Sequence, residues 1–232
     1  MRAGFFANGA EESVTGKLRA VEIAGAAGRL EGLWKEAVGP RRGSAVFAHP
    51  HPLHGGTLHN KVVYRASQAL TAAGWETLRF NFRGVGLSEG RHDEGRGEVE
   101  DFRAALEEAA RVGGLPILAG GYSFGSAVAL KAIAGDARVA AFIGLGLPLA
   151  AAAGAGLRLS MPWLPSLFVV GQFDAFGPPA RVREFLSGSD SQIVEIPGAD
   201  HFFERKLPEL EAAIFDFASS IQNPKSKIQS LV

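Results

Sequence analysis

Two textures of apolar residues run along this chain. Leu18–Ala24 and Arg29–Glu36 alternate loosely between apolar and polar positions and are joined by a short Gly-Ala turn, which predicts a β-hairpin. From Ser44 onward the alternation gives way to short continuous runs of Val, Ile, Leu and Phe, as expected for strands covered on both faces. These runs predict strands near 44–49, 75–82, 115–122, 138–146, 166–173 and 191–196. Between them, Asn60–Ala73, Glu98–Val112 and Phe124–Ala134 carry apolar residues at helical spacing and each stops at glycine. Pro178-Pro179 can open a further helix, and Phe203–Ser220 reads as the last one.

An antiparallel start followed by repeated strand–helix units implies right-handed crossovers and a mostly parallel twisted sheet with helices on both faces. At 232 residues the chain suits one domain, taken as 18–221, with an N-terminal arm at 1–17 and a polar tail at 222–232. Ala150–Gly156 contains only Ala and Gly and is expected to be a loop.

Composition narrows the chemistry mainly by exclusion. The 24 basic and 24 acidic residues cancel, so no global field attracts nucleic acid or an anionic membrane. Without cysteine there are no disulfides, thiolate metal sites or thiol nucleophiles. No apolar run reaches the length of a bilayer span, and a cytoplasmic protein, monomeric or homodimeric, is expected.

A nucleophile must therefore come from elsewhere, and Gly121-Tyr122-Ser123-Phe124-Gly125 sits between an apolar strand and a helix. This is the context in which a G-x-S-x-G turn projects a serine above the sheet edge. On its own the pentapeptide is weak, because a glycine-rich chain meets it easily by chance. Serine also needs a base, and the base needs an orienting acid. His201, in Pro197-Gly198-Ala199-Asp200-His201, follows the 191–196 strand and falls at the same edge. Asp174 ends the 166–173 strand, giving the order Ser, Asp, His, and is preferred as the acid. Asp200 is the rival, but neighbours on a loop usually point apart, and it reads more simply as a cap for the final helix.

His49-Pro50-His51-Pro52-Leu53-His54-Gly55-Gly56 follows the 44–49 strand and can supply a backbone N–H to an oxyanion, the other coming from Phe124. Proline has no N–H, which leaves His51, preferred, or Leu53. The histidines at 49, 51, 54 and 59 invite a metal reading, yet no cysteine or carboxylate accompanies them, so neither metal nor cofactor is expected. In Asn81–Gly90, Arg83 is expected to tie the loop down through its planar fork, while Ser88 and Glu89 line the site or face water. Tyr122, Trp163 and Phe202 are expected to contact substrate. Met161-Pro162-Trp163-Leu164 is either a small lid or core packing ahead of the next strand.

Taken together, His49–Gly56, Asn81–Gly90, Gly121–Gly125, Gly171–Asp174 and Gly198–Phe203 resemble the α/β-hydrolase superfamily from about Leu18 to Ser220. The resemblance is stronger to a compact bacterial subgroup of serine hydrolases and esterases with little or no cap, marked by H-P-H-P-x-x-G-G. It implies Ser123, Asp174 and His201 as a catalytic triad. One departure is Asn81, where many hydrolases carry Asp. The expected activity is hydrolysis of short-chain carboxylic esters through an acyl-enzyme on Ser123. Thioester, peptide or acyl-transfer chemistry uses the same groups, and a non-catalytic binding protein is the reading from another class.

Overall fold

The computed structural model describes residues 16–150 and 164–221. The opening hairpin pairs β1 (Leu18–Gly25) with β2 (Gly28–Lys35) antiparallel. It is followed by β3 (Gly43–Ala48), α1 (Lys61–Ala72), β4 (Trp75–Phe80), α2 (Gly97–Gly113), β5 (Ile117–Tyr122), α3 (Phe124–Ala132) and β6 (Val139–Leu145). Then come β7 (Ser166–Gly171), α4 (Pro179–Phe185), β8 (Gln192–Ile196) and α5 (Leu207–Ser220). The strands make one eight-stranded sheet in the order β1-β2-β4-β3-β5-β6-β7-β8. Antiparallel pairing is confined to β1·β2 and β2·β4, and every pair from β4·β3 to β7·β8 is parallel.

Strand periodicity builds two cores from one sheet. Phe142 and Phe168 point to the face covered by α2 and α3, where they join Phe80, Phe102 and Leu130. Their neighbours Ile143 and Val169 point the other way, to Phe47, Val63, Leu70, Ile214 and Phe217 beneath α1 and α5. Each such side chain contributes roughly 1.5–3 kcal/mol by leaving water, so a one-residue slip of a central strand would forfeit several at once. Among the described residues no helix is long and apolar enough to cross a membrane.

Local signals explain the element ends. Asn60 caps α1 by accepting the Val62 N–H at 2.9 Å. The last helix begins at Leu207 rather than at Phe203. Phe203 and Arg205 take positive φ values of 53° and 59°, which a right-handed helix does not admit, and Pro208 favours a start just before it. Every parallel strand thus ends toward one edge, and the loops after β3, β5, β7 and β8 meet there.

Candidate active site

Ser123 lies between β5 and α3 with φ 53° and ψ −123°, a conformation costing roughly 1–3 kcal/mol for a residue with a side chain. Its surroundings impose it: the Ser123 N–H donates to Leu145 O at 2.8 Å, and its carbonyl accepts Ser126 N–H and Oγ–H at 2.9 and 2.6 Å. The turn is tight enough that a Cβ on Gly121 would lie 2.5 Å from the Gly125 carbonyl oxygen, and one on Gly125 2.8 Å from Ala48 O. Glycine at both positions is therefore steric necessity.

The three residues expected to act together are brought into one hydrogen-bonded chain. His201 Nε2 stands 2.9 Å from Ser123 Oγ, and Nδ1 stands 2.8 Å from Asp174 Oδ2. A proton on Nδ1 directed at Asp174 leaves the Nε2 lone pair to accept the serine hydroxyl. The other carboxylate oxygen of Asp174 accepts backbone N–H groups from Phe176 at 2.9 Å and Gly177 at 3.1 Å. Asp174 and His201 are 2% and 6% exposed, so water does not compete for these bonds. Asp200 turns away from the imidazole and accepts the Phe202 N–H at 2.9 Å. It caps this local turn, not the final helix as the sequence suggested, because α5 starts six residues past His201.

Tyr122, expected to contact substrate, is turned into the protein. It is 3% exposed, and its hydroxyl donates to the His201 carbonyl at 3.1 Å. Burial, reinforced by the Asp174 and Asp200 carboxylates, pushes its pKa up, so the hydroxyl keeps the proton it donates. Phe202 is half exposed, with its ring edge-on to His201 at 5.5 Å. Trp163, with Met161 and Pro162, lies outside the described residues, whereas Leu164 is buried in the core with Phe168.

The turn after β3 is fastened by its first histidine. His49 is buried, accepts the Phe82 N–H at Nε2 (3.1 Å) and places Nδ1 2.6 Å from Pro50 O. Burial lowers its pKa to about 4 against the opposing pull of Pro50 O and Glu98, so it is a neutral spacer. The Leu53 N–H donates to His51 Nδ1 at 3.2 Å and is thereby withdrawn as an oxyanion donor. The backbone N–H groups of His51 and Phe124 have no acceptor among the described residues, and the two side-chain rings pack together at 4.9 Å. His51 also stacks on His54 at 4.5 Å and packs against His92 at 5.0 Å, and among the described residues no three such side chains are placed to hold a metal ion.

The glycine-rich loop after β4 proves to be scaffold. Arg83 forks onto Asp101 with contacts from 2.7 to 3.1 Å. Ser88 Oγ–H donates to Asn81 O and accepts the Glu31 N–H, and Glu89 accepts the Arg29 N–H, so both bind the hairpin and not the site. Sequence reasoning overlooked two site residues. Gly146, φ 53°, lets the His201 ring approach, and Phe176 sets its ring 4.6 Å from the imidazole. Phe176 was accessible in principle, two residues past Asp174, but only the carboxylate's backbone partners reveal why the loop curls back.

A mostly parallel sheet with a strained serine turn, a buried His–Asp pair and free backbone donors at one edge defines an α/β serine-hydrolase arrangement. Residues 42–216 match the family described as alpha/beta hydrolase domain, and the chain belongs to that family. It is 33% identical over 209 residues to an uncharacterized protein of Rickettsia prowazekii, covering 86% of this chain and 88% of that one. An alpha-beta serine hydrolase homologue from Coxiella burnetii superposes with TM-score 0.79 and 37% identity, over 85% of this chain and 96% of that one. A serine hydrolase without a lid from Xanthomonas campestris gives TM-score 0.77 and 31% identity over 87% and 93%. These likenesses support hydrolase activity.

Proposed function

We propose that this chain is a serine carboxylesterase. The observation that carries the reading is the Ser123–His201–Asp174 chain, 2.9 and 2.8 Å, set beside the two unengaged N–H groups of Phe124 and His51. Ser123 Oγ attacks the ester carbonyl as His201 Nε2 takes its proton, and Asp174 stabilises the imidazolium. The Phe124 and His51 N–H groups hold the oxyanion, Phe124 with the help of the α3 N-terminus. Imidazolium returns the proton to the departing alkoxide, leaving an acyl-enzyme. Water, deprotonated by His201, then releases the acid.

Short acyl groups fit this reading. Twenty residues, 146–165, separate β6 and β7, little chain for a lid of several helices, and the Xanthomonas relative is described as lacking one. Methylenes left partly in water contribute less than the roughly 0.8 kcal/mol of full burial. Across p-nitrophenyl esters kcat/KM is expected to peak from acetate to hexanoate. Labelling by a fluorophosphonate, read by intact mass and abolished in Ser123→Ala, tests the nucleophile. An unlabelled wild type, or a Ser123→Ala variant that keeps activity within roughly tenfold, removes the proposal.

A further inference from the structure

The aromatic rings around His201 differ in what they face. Tyr122 is buried and occupied with the His201 carbonyl. Phe176 and Phe202 are 57% and 53% exposed, unusual for phenylalanine, and their centroids stand 4.6 and 5.5 Å from the imidazole. Phe173, on the same loop as Phe176, is exposed as well. Large apolar side chains left in water at a reacting centre stand ready for an apolar ligand.

We propose that Phe176 and Phe202 wall the alcohol side of the site and select esters of neutral aromatic alcohols. The inference rests on the serine-esterase reading and specifies the half of the substrate that reading left open. His201 Nε2 protonates the departing oxygen, so that oxygen sits within hydrogen-bond reach of the imidazole when the bond breaks. The substituent on it must therefore extend among the groups that surround the ring. Nearest the imidazole those groups offer aromatic surface, and among the described residues the charges of this loop are the exposed Asp200 and Arg205, of opposite sign, and two that are paired. The Asp200 carboxylate holds the Phe202 N–H, Glu204 pairs with Lys61 at 3.0 Å, and Lys206 pairs with Glu209 at 3.0 Å.

Phe176 is also held in place. Its N–H is bound to Asp174 Oδ1 at 2.9 Å, its carbonyl accepts the Leu149 N–H at 3.1 Å, and Gly177 beside it packs on the Leu147 carbonyl. A ring on a fixed backbone keeps only its side-chain torsions to lose on binding, so aromatic contact costs little ordering. An aryl group against two such rings gains offset or edge-to-face contact beyond simple area burial.

The test compares acetates that differ only in the alcohol, 2-naphthyl acetate against methyl acetate, in the full chain. Phe176→Ala and Phe202→Ala are measured beside Phe215→Ala, an exposed phenylalanine on α5. Taking the naphthyl-to-methyl ratio of kcat/KM in each variant cancels the intrinsic reactivity of the two esters. The ratio is expected to fall about tenfold or more in Phe176→Ala and Phe202→Ala, to stay at the parent value in Phe215→Ala, and to recover in Phe176→Tyr. The acetate-to-butyrate ratio with one alcohol should not move.

An unchanged naphthyl-to-methyl ratio overturns the proposal. So does a shift confined to the acyl ratio, which would put the rings on the other side, or a parent that prefers acetylcholine, which would make them a cation cage. A parent that hydrolyses none of these esters, or whose activity survives Ser123→Ala, overturns the serine-esterase reading itself. Should Phe176→Ala not fold, Phe176→Leu keeps the bulk without the aromatic face and is held to the same ratio.

Discussion

Asn81 and Glu31 face each other between β4 and β2, the asparagine side-chain N–H donating to Glu31 Oε2 at 2.7 Å. Asn81 Oδ1 accepts the Leu58 N–H at 2.8 Å, and the same Glu31 oxygen accepts the Leu87 N–H at 2.9 Å. The amide therefore joins the loop that follows the His51 turn to the hairpin, which gives asparagine rather than aspartate a physical role at this position. Aspartate would replace a donor with a second negative charge. Asn81→Asp is expected to lose about 1–3 kcal/mol of stability near neutral pH, with most of it restored by adding Glu31→Gln. Urea unfolding of the single and double variants measures both. A single variant as stable as the parent refutes the account.

Acid should weaken the fold through His49. Its folded pKa is about 4 against an ordinary 6.5, so between these values the unfolded chain holds a proton that the folded chain refuses. Stability is then fully present above about pH 6.5 and falls as pH drops toward 4, by up to roughly 3 kcal/mol for this group. Protonating Nε2 would also break its bond from the Phe82 N–H. His49→Gln should flatten that part of the profile. Urea midpoints from pH 4.5 to 7 test it, and parallel slopes in parent and variant count against it.

The acid assignment separates two aspartates. Asp174 contacts the imidazole at 2.8 Å, while Asp200 holds the Phe202 N–H. Asp174→Asn is expected to lower kcat about 10³–10⁴-fold by permitting the wrong imidazole tautomer, and Asp200→Asn by far less. The opposite ranking, in kcat at saturating substrate, would transfer the role to Asp200.

Much of this was legible in the residues because the patterns have direct physical causes. Buried parallel strands need unbroken apolar runs, so β3 to β8 are predicted within a few residues. The serine turn needs glycines at 121 and 125, and the order Ser123, Asp174, His201 follows the strand ends. Pairwise orientation was not legible. That the Tyr122 hydroxyl turns inward to a carbonyl, that the Leu53 N–H is consumed by the His51 ring, and that Asn81 meets Glu31 depend on contacts among residues far apart in the chain or on side-chain torsions. Spacing carries no record of either. The start of α5 was misplaced because Phe203 and Arg205 occupy positive φ, which neither residue type announces.

Tyr122→Phe probes a contact of that kind. The variant keeps the ring beside His201 but strips the partner from its carbonyl, a bond of 3.1 Å in a buried setting. A stability loss of about 1–2 kcal/mol is expected, with a modest drop in kcat as the His201 loop loosens. Differential scanning calorimetry and steady-state kinetics on one preparation give both values. A variant altered only in KM would restore Tyr122 to the substrate surface.

Gly146 offers a way to separate backbone strain from crowding of the base. Its φ is 53°, and an added Cβ would lie 3.1 Å from His201 Cε1 and 3.2 Å from Nδ1. Gly135 has a φ of 78° with nothing within 4 Å of such a Cβ. Alanine at either position bears the left-handed penalty of roughly 1–2 kcal/mol. Only at 146 does the methyl group also press on the imidazole, whose carboxylate bond at Nδ1 leaves it one productive orientation. Gly146→Ala and Gly135→Ala are therefore expected to lose similar stability, while only Gly146→Ala loses kcat, by about tenfold or more, since small misplacements of a base weigh heavily on the rate. Thermal melts and kcat for both variants decide the matter. Equal kcat in the two would mean that His201 shifts to accommodate the methyl without leaving Ser123, and that the close approach of Gly146 serves packing alone.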